Sequence, residues 1–517
     1  MTTSTARKAP QRWSAALAGA AAVLAGVGCA ELVTAVLAPS GSPLAVVGAL
    51  VISLVPGWFI HVVIGLFGTA DKAVLLVCLG ILVLALGALA GILELARPHL
   101  GRILVVLVGA VGVIAAVTRP GASGWDAVPS VVAMVVAVIA VTWLVARLRR
   151  GTAPQSDPGA PNRRTFLAYA GGTAAVGIIA AITGQVLSAG ARVASTARGI
   201  FTLPRPAVAA VPIPATASLG VPGITRLITP NADFYRIDTA LLVPRIDPAD
   251  WSLTVTGLVD REVTISFDEL VALPLEESTT TLACVSNEVG GDLIGNATWL
   301  GYPIRKLLAR AGVQPDADMV LSRSSDGFTA GTPIEALTDG RNAVLAVGMN
   351  GDPLPFEHGY PVRMVVPGLY GYVSATKWVV ELKVSMFDRE TAYWTGLGWS
   401  ARGPIKLSSR LDVPRQGASV AAGTVAIGGV AWAQHTGIAG VQVRVDDGEW
   451  HDARLGDAIS ADTWRQWTWA WPAEPGRHTL TVRATDASGK VQTATVADVV
   501  PNGATGLHSI DVNVTSG

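Results

Sequence analysis

The chain has 517 residues, enough for about three domains of ordinary size. Lys+Arg and Asp+Glu are equal at 38 each, so no net charge is available to attract nucleic acid or another polyanion. Mean hydropathy is +0.47, high for a wholly water-soluble chain, and the apolar excess lies before residue 190.

Five apolar runs, 14–37, 73–93, 103–117, 128–144 and 165–187, approach the roughly 20 residues that a helix needs to cross a bilayer. A sixth, 44–66, carries Pro56-Gly57 in its middle and His61 after it. Proline removes a backbone donor and clashes with the preceding turn, so this run reads as a broken segment that does not cross. With five crossings, Arg7, Lys8, Arg12, Arg97, Arg102, Arg147, Arg149, Arg150, Arg163 and Arg164 share one face, leaving only Lys72 and Arg119 on the other. Positive residues mark the cytoplasmic side, so the N-terminus is expected inside and everything after about residue 190 outside. Residues 1–190 therefore read as an α-helical transmembrane region in contact with membrane lipid: five spans plus a broken segment at 44–66. Glu31 is the acid inside these runs, near the outer end of the first, where it reaches water. His61 and His99 fall on opposite faces, which disfavours a shared haem. "NRRTFLAYAGGTAAVGIIAAITG" (162–184) resembles a twin-arginine export signal. A plain positive-inside anchor also opens on arginine, and these residues leave both readings open.

Residues 191–229 read as a linker. From 230 to 400, short strand patterns such as "WSLTVTGLV" (251–259) and "KWVVELKV" mix with an amphipathic helix at 302–313 ended by Gly312, which predicts an α+β domain. From 401 to 517, alternating runs such as "GTVAIGGVAWA" and "GRHTLTVRATDASGKV" are separated by turn signals, which predicts an all-β immunoglobulin-like sandwich. The stripe Trp464, Trp467, Trp469 and Trp471 is expected mainly in its core.

Cys29 and Cys78 lie in apolar spans, so Cys284 has no disulfide partner in its own domain. On composition alone it is an inert core thiol or a metal ligand. Its surroundings, "TLACVSNEVGGDLIGNATWLGYPIRKLLARAGV" (281–313), resemble the molybdenum-cofactor core of the sulfite oxidase family, as does "NGDPLPFEHGYPVRMVVPGLYGYVSATKWVVELKV" (350–384). The block order and the following sandwich, similar to the family's dimerisation domain, extend the resemblance over about 230–515. The apolar half looks like the multi-span anchor of actinobacterial membrane relatives.

The resemblance implies a multi-domain, membrane-anchored oxidoreductase with its catalytic domain outside the cell membrane. Its cofactor would be molybdenum-molybdopterin and its reaction oxygen-atom transfer on a small-molecule substrate. Cys284 would ligate the metal as the catalytic cysteine, since one soft thiolate completes a dithiolene-bound molybdenum. Arg363 and Lys377 would hold the cofactor phosphate, with Ser374, Ala375 and Thr376 lending backbone contacts. His358 would hydrogen-bond the cofactor and Asp326 would face the pterin. "NADFYRID" (231–238) resembles the family's Phe-x-Arg-Asn-His strip; Tyr235 and Arg236 keep its start, while Ile237 and Asp238 replace its polar end. A homodimer through the sandwich is a further implication. Electrons would pass to quinone or a separate redox protein, as no haem or iron–sulfur cysteine pattern is present. Two departures bear on substrate. The family's Ala-Gly-Asn-Arg-Arg after the cysteine is Val285-Ser286-Asn287-Glu288-Val289 here, and its active-site tyrosine corresponds to Phe328. Sulfite thus loses its attracting arginines, and a sulfoxide-like substrate fits at least as well. The contrasting reading is a non-enzymatic surface binding protein with a degenerate molybdopterin core.

Overall fold

The computed structural model describes residues 8–38, 41–55, 59, 63, 66–67, 71–119, 122–150, 163–187 and 189–516. The chain forms two compact units, Met1–Thr196 with Ala240–Val243, and Ala197–Thr239 with Pro244–Gly517.

The first unit contains helices α1 (Lys8–Leu37), α2 (Pro43–Leu54), α3 (Asp71–Ala96), α4 (Leu100–Thr118), α5 (Val128–Arg150) and α6 (Arg163–Leu187). Five of them, all but α2, are long and apolar enough to cross a membrane, the number expected from the apolar runs. The 12 residues of α2 span only about 18 Å, short of a bilayer core. Pro56, Gly57 and His61, which define the broken segment, lie outside the described residues. Helix α1 packs against α3, α5 and α6. Its approach to α3 requires glycine: a Cβ on Gly19 would stand 1.9 Å from the Gly87 carbonyl oxygen. Lipid gives apolar helices no hydrophobic reason to associate, so close backbone packing of this kind holds them.

Counting apolar residues ends the second run at 93, but α3 continues through Glu94. That side chain is 1% exposed and pairs with Arg102 at 2.8 Å, while Arg149 donates to the Glu94 carbonyl. Glu31 is likewise engaged, its Oε1 accepting from the Ser42 hydroxyl at 2.7 Å.

In the second unit two sheets form the α+β part. Strands β1 (Ser252–Gly257), β2 (Val263–Ser266), β5 (Met319–Ser324), β6 (Thr329–Pro333) and β10 (Val379–Ser385) make one, in the order β2-β1-β10-β5-β6. Strands β3 (Glu276–Ala283), β4 (Ile294–Pro303), β7 (Val344–Met349) and β8 (Asp352–Pro353) make the other, with β9 (Arg363–Val365) paired to β7. Strands β1 and β10 are parallel, Thr254 lying beside Glu381 and Gly257 beside Val384. The predicted amphipathic helix is Ile304–Ala311. It buries Ile304, Leu307, Leu308 and Ala311 and ends where Gly312 turns left-handed.

The sandwich follows. One sheet runs Ser408–Val413, Gly423–Trp432, Arg465–Ala473, Arg454–Leu455; the other runs Ser419–Ala421, His508–Thr515, Gly476–Asp486, Ile438–Val445, Trp450–Asp452. Trp464, Trp467 and Trp471 are buried, as the alternation implies, whereas Trp469 stacks on His451 with centroids 4.7 Å apart. Hydrogen bonds tie the α+β part to the sandwich, among them the Thr281 N–H to Asp462 O at 2.9 Å and the Trp464 N–H to Thr281 Oγ1 at 2.8 Å, while Trp464 Nε1 donates to Leu227 O at 2.8 Å. Residues 201–229 contain little regular structure but are pinned along the unit, through Ala207 N–H to Leu275 O and Thr229 N–H to Asn296 O, both 2.8 Å.

Candidate active site

Strand β3 ends at Ala283 and delivers Cys284 into a tight loop. The Cys284 N–H donates to Leu293 O at 2.9 Å, and the Asn287 carboxamide accepts the Leu293 N–H at 2.8 Å, closing the loop on itself. The thiol is 8% exposed and free of any disulfide. Burial raises its pKa; the Ser286 N–H and hydroxyl and the Val285 N–H, aimed at the sulfur, oppose that shift without cancelling it. Glu288 is exposed at the rim.

A cluster of cations comes from the chain around β9 and β10. His358 ends the one-turn helix Phe356–His358, Arg363 opens β9, and Lys377 precedes β10. Gly359 lets these segments meet: its φ is +109°, and a Cβ there would stand 2.9 Å from Arg363 Cβ. Arg363 is buried. It donates to His358 O at 3.1 Å and Met364 O at 3.3 Å and lies 5.0 Å over the Trp299 ring. Among the described residues no carboxylate pairs with it, and burial lowers its pKa to about 10. Lys377 donates to Asp238 at 2.6 Å and to Glu357 O at 2.9 Å; desolvation lowers it to about 8 against the pull of Asp238. The same Asp238 oxygen takes Arg236 Nε at 3.0 Å. Two cations therefore share one carboxylate, and Arg363 beside them has none among the described residues.

His358 Nε2 lies 3.1 Å from Asn231 O, an acceptor only, so Nε2 carries the proton and Nδ1 of the neutral ring remains an acceptor. Desolvation first, then the charges of Arg363 and Lys377, lower its pKa to about 4. Tyr235 joins the two groups: it stacks on Phe234 at 5.2 Å, and its phenol pKa is raised by burial and by the charge of Cys284, with Arg363 opposing.

The structure thus brings Tyr235, Cys284, His358 and Arg363 together, and Arg236 with Lys377 through Asp238. Ser374 is used differently: its buried hydroxyl donates to Tyr370 O at 2.9 Å and Leu369 O at 3.2 Å, bracing its own turn. Asp326 sits at the β5–β6 turn and accepts the Phe328 N–H at 3.3 Å. Its charge acts on Tyr393, and no contact among the described residues joins it to Arg363 or Lys377. Phe328 lies against Tyr393 with centroids 5.9 Å apart. The sequence reading missed Asp238 as the shared counter-ion. Its departure from the family strip was the available signal.

The model of the oxidoreductase molybdopterin binding domain matches residues 240–394, and that of a bacterial Ig domain matches 408–482. Sulfite oxidase of Gallus gallus is 30% identical over 327 residues, covering 53% of this chain and 70% of that protein. The chain belongs to the sulfite oxidase family. The mitochondrial sulfite oxidase of Mus musculus is also 30% identical, but the chain spans only 58% of its length. An uncharacterized oxidoreductase of Bacillus subtilis, YuiH, is 32% identical over 30% of this chain and 76% of its own. Among solved structures, the sulfane dehydrogenase SoxCD of Paracoccus pantotrophus is similar over 57% of this chain and 85% of its own, with a TM-score of 0.49 and 23% identity.

Membership of the sulfite oxidase family makes the chain a molybdenum-dependent oxidoreductase and implies molybdenum-molybdopterin as its cofactor. The residues present fit that group. Among the described residues no three His, Cys, Asp or Glu side chains are gathered to hold a bare ion, and Cys284 could give a chelated metal its one protein thiolate. A buried Arg363 without a carboxylate, beside Lys377 and Arg236 sharing one, leaves positive charge for a phosphate.

Proposed function

We propose that this chain is a membrane-anchored oxidoreductase that transfers an oxygen atom to or from a small, sulfite- or sulfoxide-like molecule on the extracytoplasmic side. The observation that carries the reading is a buried, unbridged cysteine and a buried arginine, without an acid partner among the described residues, whose charges both act on the Tyr235 phenol. Sidedness rests on the ten-to-two distribution of Lys and Arg about the five apolar helices.

When bound, the cofactor supplies two-electron oxygen-atom chemistry. Cys284 gives it one soft ligand, and the donors from Ser286 and Val285 hold that sulfur in place. Arg363, Lys377 and Arg236 bind the phosphate. Neutral His358 offers Nδ1 to a ring N–H, fixed in that tautomer by the Asn231 carbonyl. Trp299 and Phe234 wall the cluster, Phe234 meeting Trp299 edge-on at 5.7 Å and His358 at 5.5 Å, which keeps water from the buried cations. Electrons leave to quinone or a separate redox protein.

Metal analysis of the purified full chain tests this. The wild type is expected to carry one molybdenum per chain, and Cys284→Ala to lose it or hold it with an altered absorption spectrum. A molybdenum-free wild type, expressed where the cofactor is made, sinks the reading.

A further inference from the structure

A second set of segments approaches Cys284. The turn holding Tyr370 lies against the end of β3: a Cβ on Gly371 would stand 3.8 Å from Ala283 O. The Tyr370 N–H donates to Gly403 O at 2.7 Å and the Ile405 N–H to Gly368 O at 3.0 Å, so residues 403–406 run beside it. The loop at 499–503 comes from the sandwich, and a Cβ on Gly503 would stand 2.6 Å from the Tyr370 hydroxyl.

Tyr370 is 5% exposed. Its hydroxyl oxygen accepts weakly from the Lys406 N–H at 3.4 Å, yet among the described residues nothing accepts its proton. A phenol carries one donor, and leaving it unmet in a buried place costs about 1–3 kcal/mol, so the donor points to a ligand. Burial is the first cause that pushes its pKa up to about 12, and the charge of Cys284 adds to it, which sets the phenol within the field of the sulfur. Lys406 is half-buried. Its ammonium donates to Asn502 Oδ1 at 2.7 Å and Gly503 O at 2.8 Å, two of three available N–H groups, and among the described residues no carboxylate neutralises it. Exposure rises from Cys284 and Tyr370 to Lys406, as along an entry path. Neither Tyr370 nor Lys406 bonds to Arg236, His358, Arg363 or Lys377, the cofactor-facing set.

We propose that Tyr370 and Lys406 form the substrate-binding pair of this enzyme, and that its substrate is a small sulfur or nitrogen oxide or oxyanion whose oxygen they grip beside Cys284. This rests on the molybdopterin reading above. It deepens that reading by supplying a phenol donor that Phe328 lacks and a cation that the loop 285–289 lacks. The phenol serves any such oxygen; the ammonium favours the anionic ones.

The test uses molybdenum-loaded full-length protein in detergent, with sulfite oxidised against ferricyanide and dimethyl sulfoxide reduced by a viologen dye. Tyr370→Phe is expected to keep its molybdenum, to have a thermal midpoint no lower than wild type, and to lose about 10- to 100-fold in kcat/KM on whichever probe the wild type uses, the loss of one donor to a substrate oxygen. Lys406→Gln keeps a donor for Asn502 and loses the charge. It should bind sulfate, a dead-end oxyanion, about tenfold more weakly by calorimetry and shed the salt dependence of binding. A loaded Tyr370→Phe within about twofold of wild type, or a Lys406→Gln with unchanged sulfate affinity, overturns the proposal alone. So does a loaded wild type inert to both probes. A wild type without molybdenum overturns the functional reading and the proposal together.

Discussion

Acidifying the cofactor-free protein from pH 7 to pH 4 should expose the cost of burying His358 beside two cations. Its pKa falls from 6.5 to about 4 in the folded chain. Between those values the unfolded chain binds a proton that the folded chain refuses. The stabilisation is therefore fully present above 6.5 and is lost as pH falls through 4. At about 1.4 kcal/mol for each tenfold change in proton affinity, that window carries about 3 kcal/mol. His358→Gln keeps an N–H donor for Asn231 O and removes the titration. Urea unfolding followed by tryptophan fluorescence reports the right unit, since eleven of the fifteen tryptophans lie beyond residue 197. Wild type should lose about 3 kcal/mol more than the variant across this range. Parallel stability curves for the two proteins would refute the placement of His358 as a buried, neutral ring.

Asp238→Asn leaves the Lys377 ammonium buried without its carboxylate, which should cost about 3 kcal/mol at pH 7. A base whose pKa is lowered contributes stability that grows as pH rises from the folded value, about 8 for Lys377, towards 10.5. The variant should begin that recovery at lower pH than wild type in a series of thermal midpoints. Trp464→Phe removes the indole donor to Leu227 O and should cost about 1 kcal/mol by urea unfolding, with molybdenum content unchanged.

Much of this arrangement is legible in the linear chain because its chemistry sits in short blocks. The cysteine loop and "ATKW" each place one functional side chain beside a strand, "HGYPVR" places two, and local pattern is enough to find them. Five apolar runs were likewise countable, and the described residues contain five long apolar helices. What could not be read depends on closure of the chain. Asp238 and Lys377 are 139 positions apart, and only the fold makes them a pair. Tyr370 and Lys406 look ordinary in a glycine-rich run and a connector until the loop at 499–503 covers them. Glu94 escaped because apolar-run counting stops at a charge, whereas a helix can carry a carboxylate at its end when an arginine at the start of the next helix answers it. Residues 201–229 lack periodicity and resemble a tether, yet their backbone groups are bonded along the unit.

The parallel pairing of β1 with β10 has a consequence for biosynthesis. These strands are separated by more than a hundred residues and bracket Cys284, His358, Arg363 and Lys377. A nascent polypeptide halted before β10 emerges from the ribosome has neither its central sheet nor Lys377. Pterin insertion must then follow synthesis of the whole domain, and truncated products would leave the cell's molybdenum supply untouched.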